Sequence, residues 1–559
     1  MRLTRFTKMA AVPIAAAALL LTGCTGNGGG GESQNVLRIG TNSGIDSMNP
    51  FVGINQDGFS VWMQIYPSLL QYDTAAEGSP YKGSLAEDWE MAEDGLTLTF
   101  TIRDGAKWSD GEALDAEDVA WSMGVFHEYN ESAAATWSIG SNITSITAED
   151  PTTLVVTFEE PSALSLYNMS TTPILPPQVW EEYAVGDGEA LKTFANLPED
   201  GEPLVGGGPF LLTQYRQGEV AVFERNPNWY GEQPTIDGFG LQTFKVADAM
   251  ITALASGGLD AAFGIPPTAL DTLEAADVTI DTGPALVLRD FIINSNPDKP
   301  DNRELLNLNV RKAMEHAINR DEIVETAWVG MAEPGDSILP PVTSTQGQEW
   351  YNSDLETIGY DLDAANALLD AEGFARGADG VRLAEDGSRM EYELVFADDE
   401  SGPGDRAFQI IKADFEKIGI VINQRKLDSS ATWDAIYCGE DCEYRDFDLA
   451  MWDWYPAQDP NFLMSSMTCE QWGSWNDVGY CDAEFDALNE AQAKAIDPAE
   501  RKAIIDEMQQ KLYDERPYII LTYDVRIDAW SNDWEGFVPA SQGFFNNWST
   551  QTLESVHRK

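Results

Sequence analysis

The residues best suited to chemistry in this chain form one short run of aromatic and acidic side chains. They are Trp452, Asp453, Trp454, Tyr455 and Asp459. Aromatic rings stack on sugars and on apolar side chains, whereas a carboxylate offers the counter-charge and the acceptors that an ammonium group needs. If the run forms a strand, its side chains alternate between two faces, so the two tryptophans share one face while Asp453 and Tyr455 share the other. Only one of these pairs can then readily line a cleft, and core packing is the alternative role for the aromatic residues.

Signatures of catalysis are almost absent from the sequence. The three histidines, His127, His316 and His557, lie far apart, which argues against a Ser/His triad, a histidine metal site and a His-ligated haem. The chain has neither a G-x-S-x-G sequence nor the Gly-Lys pair of a phosphate-binding loop. We therefore predict a binding protein that is not an enzyme and that uses no cofactor or metal. A secreted carbohydrate-active enzyme is the alternative of another class, because paired carboxylates are abundant and tryptophan faces stack on sugars.

The N-terminus carries the pattern of an exported lipoprotein. Basic residues precede an apolar run over residues 9–21, which is shorter than the roughly 20 residues of a membrane-spanning helix. With the small residue before Cys24, this pattern predicts a signal peptide over residues 1–23. The sequence Leu-Thr-Gly-Cys that ends at Cys24 resembles the bacterial lipobox, which implies a lipid on the Cys24 thiol and an anchor on the outer face of the cell membrane. The glycine-rich residues 24–34 would then form a flexible tether.

The charge of the chain excludes one class of partner. The formal net charge is −59, and it becomes −62 when residues 1–23, with three basic and no acidic residues, are removed. A phosphate backbone requires a basic face, and the remaining sequence contains no basic cluster. We therefore expect no nucleic-acid partner.

Four further cysteines point to disulfides. Besides Cys24, the chain has Cys438, Cys442, Cys469 and Cys481, and an even number of cysteines in an exported protein favours disulfides over a zinc site. Three pairings are possible, and proximity in the sequence favours Cys438 with Cys442 and Cys469 with Cys481. A zinc site is the alternative, although the spacings lack a C-x-x-C pair and no histidine lies nearby. In either case the role is structural.

The elements that must position these residues are strands and helices in mixed order. A mature chain of this length exceeds one hydrophobic core, so we expect two or three domains. Apolar residues alternate with threonine over residues 96–102, and residues 152–158 predict a second strand. Apolar residues recur at helical spacing over residues 310–318 and 504–512, and Asp115 is placed to cap a helix. The pattern predicts an α/β protein.

Several motifs occur in an order that is typical of one family. They are LAEDWE at 85–90, DGLTLTF at 94–100, RDGAKWSDG at 103–111, GGGPF at 206–210, RNPNWY at 225–230 and GYCDAEFD at 479–486. With these motifs the chain resembles the family 5 extracellular solute-binding proteins, which serve importers of peptides, nickel and related solutes. The resemblance covers nearly the whole mature chain.

The resemblance implies an α/β fold of the type II periplasmic-binding-protein kind. It has two lobes and an extra third domain, and it closes on its solute by a hinge. The first lobe would be discontinuous, with the extra domain inserted in it. The expected boundaries are 35–72, 205–290 and 526–559 for the first lobe, 73–204 for the extra domain and 291–525 for the second lobe.

The implied function is that of a substrate-binding lipoprotein of an ABC importer. Such a protein, which we expect to be a monomer, captures a small solute between its lobes and delivers it to the transmembrane subunits of the permease. Oligopeptides or a peptide-like solute are the first expectation, and oligosaccharides are the alternative.

The aromatic and acidic run departs from the pattern of peptide-binding relatives. In those relatives, an Asp three residues before an acidic residue and a proline binds the α-amino group of the peptide. Here Asp459 and Pro460 set the register, and the expected position holds Pro456. Asp453, three residues earlier, is the candidate substitute; otherwise the aromatic residues form a stacking wall. The topology of the family adds three secondary candidates, which are Trp433, Asn49 and Asn294.

Overall fold

The computed structural model describes most of the chain after residue 34. The described residues are 35–559 except 54, 73–80, 130–141, 200, 346–347, 398–401, 428, 437–446, 457–458, 473, 539, 541 and 547–548. The predicted signal peptide, the tether and the lipid site at Cys24 lie outside these residues, as do Cys438 and Cys442.

The strands are numbered in chain order. They are β1 (Val36–Thr41), β2 (Leu70–Tyr72), β3 (Tyr81–Gly83), β4 (Ala86–Met91), β5 (Thr97–Ile102), β6 (Ile143–Asp150), β7 (Thr153–Phe158), β8 (Phe210–Arg216), β9 (Val220–Arg225), β10 (Gly238–Thr243), β11 (Ala261–Ala262), β12 (Val278–Ile293), β13 (Ala332–Pro334), β14 (Ser344–Thr345), β15 (Gln348–Glu349), β16 (Glu391–Ala397), β17 (Val421–Leu427), β18 (Leu449–Trp454), β19 (Tyr518–Ser531), β20 (Trp534–Glu535) and β21 (His557–Arg558).

The α-helices follow the same convention. They are α1 (Gln56–Ile65), α2 (Ala116–Glu128), α3 (Ser165–Thr171), α4 (Pro177–Trp180), α5 (Glu189–Thr193), α6 (Ala247–Ala255), α7 (Leu270–Glu274), α8 (Leu308–His316), α9 (Arg320–Thr326), α10 (Leu362–Ala371), α11 (Pro403–Ile418), α12 (Ser429–Ile436), α13 (Asn461–Ser465), α14 (Ala483–Lys494), α15 (Pro498–Glu515) and α16 (Gln551–Ser555). Among the helices of the described ranges, none is long and apolar enough to cross a lipid bilayer.

One mixed sheet of 11 strands forms the frame of the molecule. Its order is β17-β16-β18-β12-β19-β11-β1-β10-β9-β8, and β13 also pairs with β19. The pairs β16–β17 and β1–β10 are parallel, whereas β12 is antiparallel to both β18 and β19. Parallel neighbours require a crossover, which α11 supplies between β16 and β17.

Two long strands connect the β1 end of the sheet to the β18 end. They are β12, with 16 residues, and β19, with 14 residues. Their pairing shifts register between Thr282 and Ala285 and again between Ala285 and Val287. Gly283 and Pro284 lie in this interruption, and neither residue type supports a regular ladder. The pairing of the two long strands is therefore irregular at this point, and it shifts register once more between Arg289 and Asp290.

A separate antiparallel sheet, ordered β4-β5-β7-β6, confirms the predicted alternation. Strands occur at Thr97–Ile102 and Thr153–Phe158, within a residue of the predicted bounds. Leu98 and Phe100 are fully buried, and the threonines between them face outward. Helix α2 lies against this sheet and begins after Asp115, whose side chain accepts a hydrogen bond from the Glu117 amide at 2.9 Å. The predicted helix cap is thus confirmed.

Separate apolar cores lie at the two ends of the main sheet. At the β1 end, Leu37 and Phe239 belong to a core that also includes Phe100 of the small sheet. At the β18 end, successive residues of β12 point to opposite faces of the sheet and into two different cores. Phe291 lies in one core and Ile292 in the other. The side-chain alternation of β12 and β18 thus separates two environments.

A disulfide joins Cys469 to Cys481 and closes a loop with a sequence separation of 12 residues. The buried Asn476 fills the loop, because its amide donates to the carbonyl oxygens of Thr468, at 3.0 Å, and Tyr480, at 2.6 Å. This bond is one of the two predicted pairs.

Removal of the disulfide should reduce stability. Replacing both cysteines, Cys469→Ser with Cys481→Ser, restores the freedom of the loop in the unfolded chain, which should lower the free energy of unfolding by roughly 3 kcal/mol. Denaturant unfolding without reductant measures the difference. The same comparison in reductant is the control, because both proteins then lack this bond and should be equally stable. Equal stability of the two proteins without reductant would contradict the prediction.

Candidate functional site

The two tryptophans of β18 lie on the core side of the strand. In the antiparallel register, Trp454 stands opposite Leu288 and Trp452 stands opposite Asp290. Trp454 is buried, and its Nε1 donates to Asp290 Oδ2 at 3.2 Å. Its ring lies 6.0 Å from that of Phe462. Trp454 therefore has a packing role in this structure.

The opposite face of the same strand carries a cluster of charged side chains. Asp453 pairs in register with Arg289 of β12, and Arg289 Nη1 donates to Asp453 Oδ1 at 3.3 Å. Arg289 Nε donates to Asp524 Oδ2 on β19 at 2.8 Å. The buried ring of Trp328 covers the guanidinium, with its centroid 5.7 Å from Arg289 Cζ. Tyr455, on the same side as Asp453, is 45% exposed.

The cluster carries more negative than positive charge. Two carboxylates, of Asp453 and Asp524, share the single guanidinium of Arg289. Burial raises the pKa of Asp524, although its bond from Arg289 opposes that shift. The Asp453 side chain is 34% exposed, and among the described residues no group donates to its Oδ2. An accessible carboxylate oxygen is thus available to a donor from outside the protein.

A second acidic side chain approaches Tyr455 from the β1 end of the sheet. Asp57, at the start of α1, is 2% exposed, and its Oδ2 accepts hydrogen bonds from Thr41 Oγ1 at 2.8 Å and from the Gly44 amide at 3.0 Å. Burial raises the pKa of Asp57 to about 6. Pro456, the residue after Tyr455, accepts a hydrogen bond at 2.9 Å from Gln542, and the nearby Phe544 and Phe545 belong to the core at the β1 end of the sheet. Tyr455 therefore lies where the two ends of the sheet approach each other.

Asp459 occupies a different environment. It is 3% exposed, and its two carboxylate oxygens accept hydrogen bonds from Arg501 Nη1 and Nη2, both at 2.7 Å. Its Oδ1 also accepts from the Asn461 amide at 2.9 Å. Because Arg501 already neutralises Asp459, the residue acts here as a scaffold, and its contact with solute stays a prediction.

Two of the secondary candidates, Asn49 and Asn294, have side-chain amides that donate to backbone carbonyl oxygens. Asn49 is buried and donates to the carbonyl oxygens of Leu191 and Phe194 at 2.6 and 2.7 Å. Asn294 is also buried and donates to the Phe447 carbonyl at 2.8 Å. Both amides therefore hold backbone segments in place. Trp433 belongs to α12, but its side chain falls outside the described part of the structure.

Sequence reasoning missed four members of this site. Arg289, Asp524, Trp328 and Asp57 are brought beside Asp453 and Tyr455 by the fold alone. Two of the four carried a weak signal, because Arg289 and Asp524 follow runs of apolar, buried residues in β12 and β19. Within the described residues, no group of three or more His, Cys, Asp or Glu side chains is placed to hold a metal ion.

The chain resembles proteins of known family over most of its length. Residues 80–474 match the family model described as bacterial extracellular solute-binding proteins, family 5 Middle. Protein XP55 of Streptomyces lividans is 28% identical over 544 residues, which cover 96% of this chain and 93% of that protein.

Solved structures show the same fold. The oligopeptide-binding protein AppA from Bacillus subtilis, in complex with a nonapeptide, superposes with a TM-score of 0.80 at 20% identity, covering 94% of this chain and 100% of that one. NikZ from Campylobacter jejuni, in complex with Ni(L-His), gives a TM-score of 0.79 at 22% identity with the same coverage of both chains. The fold is therefore the predicted α/β, type II periplasmic-binding-protein-like one.

The Asp459–Arg501 pair provides a test of the scaffold role. The variant Arg501→Met should leave a buried carboxylate without a counter-charge and lower the free energy of unfolding by about 3–5 kcal/mol. Thermal and denaturant unfolding measure this loss. Arg376→Met, at an exposed arginine, is the matched control and should cost much less. Unchanged stability of the Arg501 variant would show that Asp459 does not depend on this pair.

Proposed function

Because the chain belongs to the bacterial extracellular solute-binding proteins of family 5, we propose that it is the substrate-binding lipoprotein of an ABC importer. It captures oligopeptides or a peptide-like solute between two lobes and delivers the solute to the permease. The observation that carries this proposal is the partly exposed carboxylate of Asp453 beside the exposed ring of Tyr455.

The lobes are proposed with the boundaries expected from the sequence. The first lobe comprises residues 35–72, 205–290 and 526–559, and the second lobe comprises 291–525, with 73–204 as the extra domain. The boundaries at 290 and 525 fall within β12 and β19, the long strands that join the two ends of the sheet. Closure about the interrupted pairing of these strands would bring Asp57 and Asp453 together around a solute.

The charge of the cluster favours a solute with a cationic group. Arg289 neutralises only one of its two carboxylate neighbours, so the cluster as a whole is anionic. An ammonium group would supply the missing charge and donate to Asp453 Oδ2, and such a charge-assisted bond is stronger than a neutral one. Asp453 then takes the role that Pro456 cannot fill.

Oligosaccharide binding is the second candidate, and one observation favours it. The ring of Tyr455 is 45% exposed, which is unusual for a large side chain beside a buried cluster. An exposed aromatic face stacks on a sugar ring as readily as on an apolar side chain.

The place of the protein in the cell follows from its N-terminus. The Leu-Thr-Gly-Cys sequence supports a lipid on Cys24, and residues 24–34 would tether a monomeric body to the outer face of the membrane. Metabolic labelling with a fatty acid, compared between the wild type and Cys24→Ala, tests the anchor.

Binding measurements on three probes test the proposed solute class. We expect tri-L-alanine to bind, N-acetyl-tri-L-alanine to bind at least tenfold more weakly, and maltotriose not to bind. Asp453→Asn keeps an acceptor for Arg289 but removes the charge. The substitution should therefore weaken the binding of tri-L-alanine about 10–100-fold and leave the affinity for the acetylated peptide little changed. Isothermal titration calorimetry gives the affinities, and mass spectrometry shows whether the probe is recovered intact.

The matched control is Asp248→Asn, at an exposed carboxylate on α6, which should bind like the wild type. Binding of maltotriose in place of the peptides would favour the oligosaccharide candidate. Cleavage of any probe would rule out a protein that only binds.

A further inference from the structure

A loop near the C-terminus is held against the hinge strands by buried charges. Arg526 Nη2 donates to Asp281 Oδ2 at 2.6 Å and also contacts Asp528, and these three residues tie β12 to β19. Asp528 Oδ2 accepts a hydrogen bond from the Phe544 amide at 3.2 Å. Gly543 has a φ of +99°, and a side chain there would begin 2.8 Å from Asp528 Oδ2. The loop is therefore fixed closely against β19 on the side of the first lobe.

Gln542, the preceding residue, extends from this loop to the second lobe. Its Nε2 donates to the carbonyl oxygen of Pro456 at 2.9 Å, directly after Tyr455. A carbonyl oxygen can only accept, so the amide nitrogen must face Pro456, and this contact determines the orientation of the whole side-chain amide. The contact joins residues of different lobes and does not run through β12 or β19.

The other end of the same amide lacks a donor. Gln542 Oε1 is buried, and among the described residues no group donates a hydrogen bond to it. A buried acceptor without a donor costs free energy unless another molecule supplies the hydrogen bond. Because Nε2 of the same amide contacts Pro456, this acceptor lies close to the loop that carries Tyr455.

We propose that Gln542 is a specificity-determining residue that holds Pro456 from the opposite lobe and accepts a hydrogen bond from an N–H group of the bound solute. This inference rests on the proposed function and deepens it, because it names a second solute contact on the other lobe. Asp453 attracts the cationic group of the solute, whereas Gln542 accepts a hydrogen bond from a neutral N–H donor of the solute. A peptide presents both groups.

The test uses the full mature protein and the near-isosteric variant Gln542→Met, which lacks both donor and acceptor. The first measurement needs no ligand: hydrogen–deuterium exchange of the segment that contains Tyr455 and Pro456 should become faster in the variant. The second is the affinity for tri-L-alanine, which should fall about tenfold through faster dissociation.

Gln510→Ala, at an exposed glutamine on α15, is the matched control and should change neither value. Circular dichroism and the melting temperature verify the fold, and Gln542→Asn serves as a second variant.

The outcomes separate this inference from the proposed function. Faster exchange together with weaker peptide binding supports both contacts of Gln542. Unchanged exchange and unchanged affinity overturn the inference while the proposed function stands. If the wild type binds no peptide, the proposed solute class fails, and the exchange measurement alone tests the contact of Gln542 with Pro456. Unchanged exchange would then overturn the inference. Faster exchange would support the contact in a protein that carries a solute of another class.

Discussion

The bonds of Arg289 to two carboxylates are the interaction on which the rest of the site depends. Its guanidinium joins three adjacent strands, because Arg289 lies on β12, Asp453 on β18 and Asp524 on β19. Removal of one partner from such a half-buried cluster leaves a charge without compensation, which costs more than an exposed ion pair contributes. Since β12 and β19 also connect the two ends of the sheet, the cluster lies on the strands through which the proposed closure would act.

Arg289 and Asp290 are neighbours on β12, and their side chains lie on opposite faces of the sheet. Asp290, next to Arg289, points to the core side, is 1% exposed and accepts a hydrogen bond from Trp454 Nε1. Burial raises the pKa of Asp290 well above its usual range, and the Asp477 carboxylate raises it further.

Local patterns in the sequence predicted the elements well, because their causes are local. Alternating threonines predicted β5, and the Asp115 side chain predicted the start of α2, since both depend on residues within one turn or one strand. Alternation also separated the tryptophans of β18 from Asp453 and Tyr455 before any fold was known. The family resemblance added the order of the motifs, and with it the fold.

The remainder of the site depends on long-range contacts that no local pattern encodes. Arg289 and Asp524 are 235 residues apart in the sequence, and only the antiparallel pairing of β12 with β19 brings them together. Asp459 was predicted, like Asp453, to contact the solute, yet its burial against Arg501 depends on the packing of α15. A carboxylate in an acidic chain gives no sign of whether a distant arginine already neutralises it.

The most direct measurement is a crystal structure of the protein with the solute that it carries when purified from its natural host. The account predicts one peptide or peptide-like molecule between the lobes, with its cationic nitrogen about 3 Å from Asp453 Oδ2 while Oδ1 stays bonded to Arg289. A bound solute whose charged groups all contact other residues, with Asp453 paired to Arg289 alone, would contradict it.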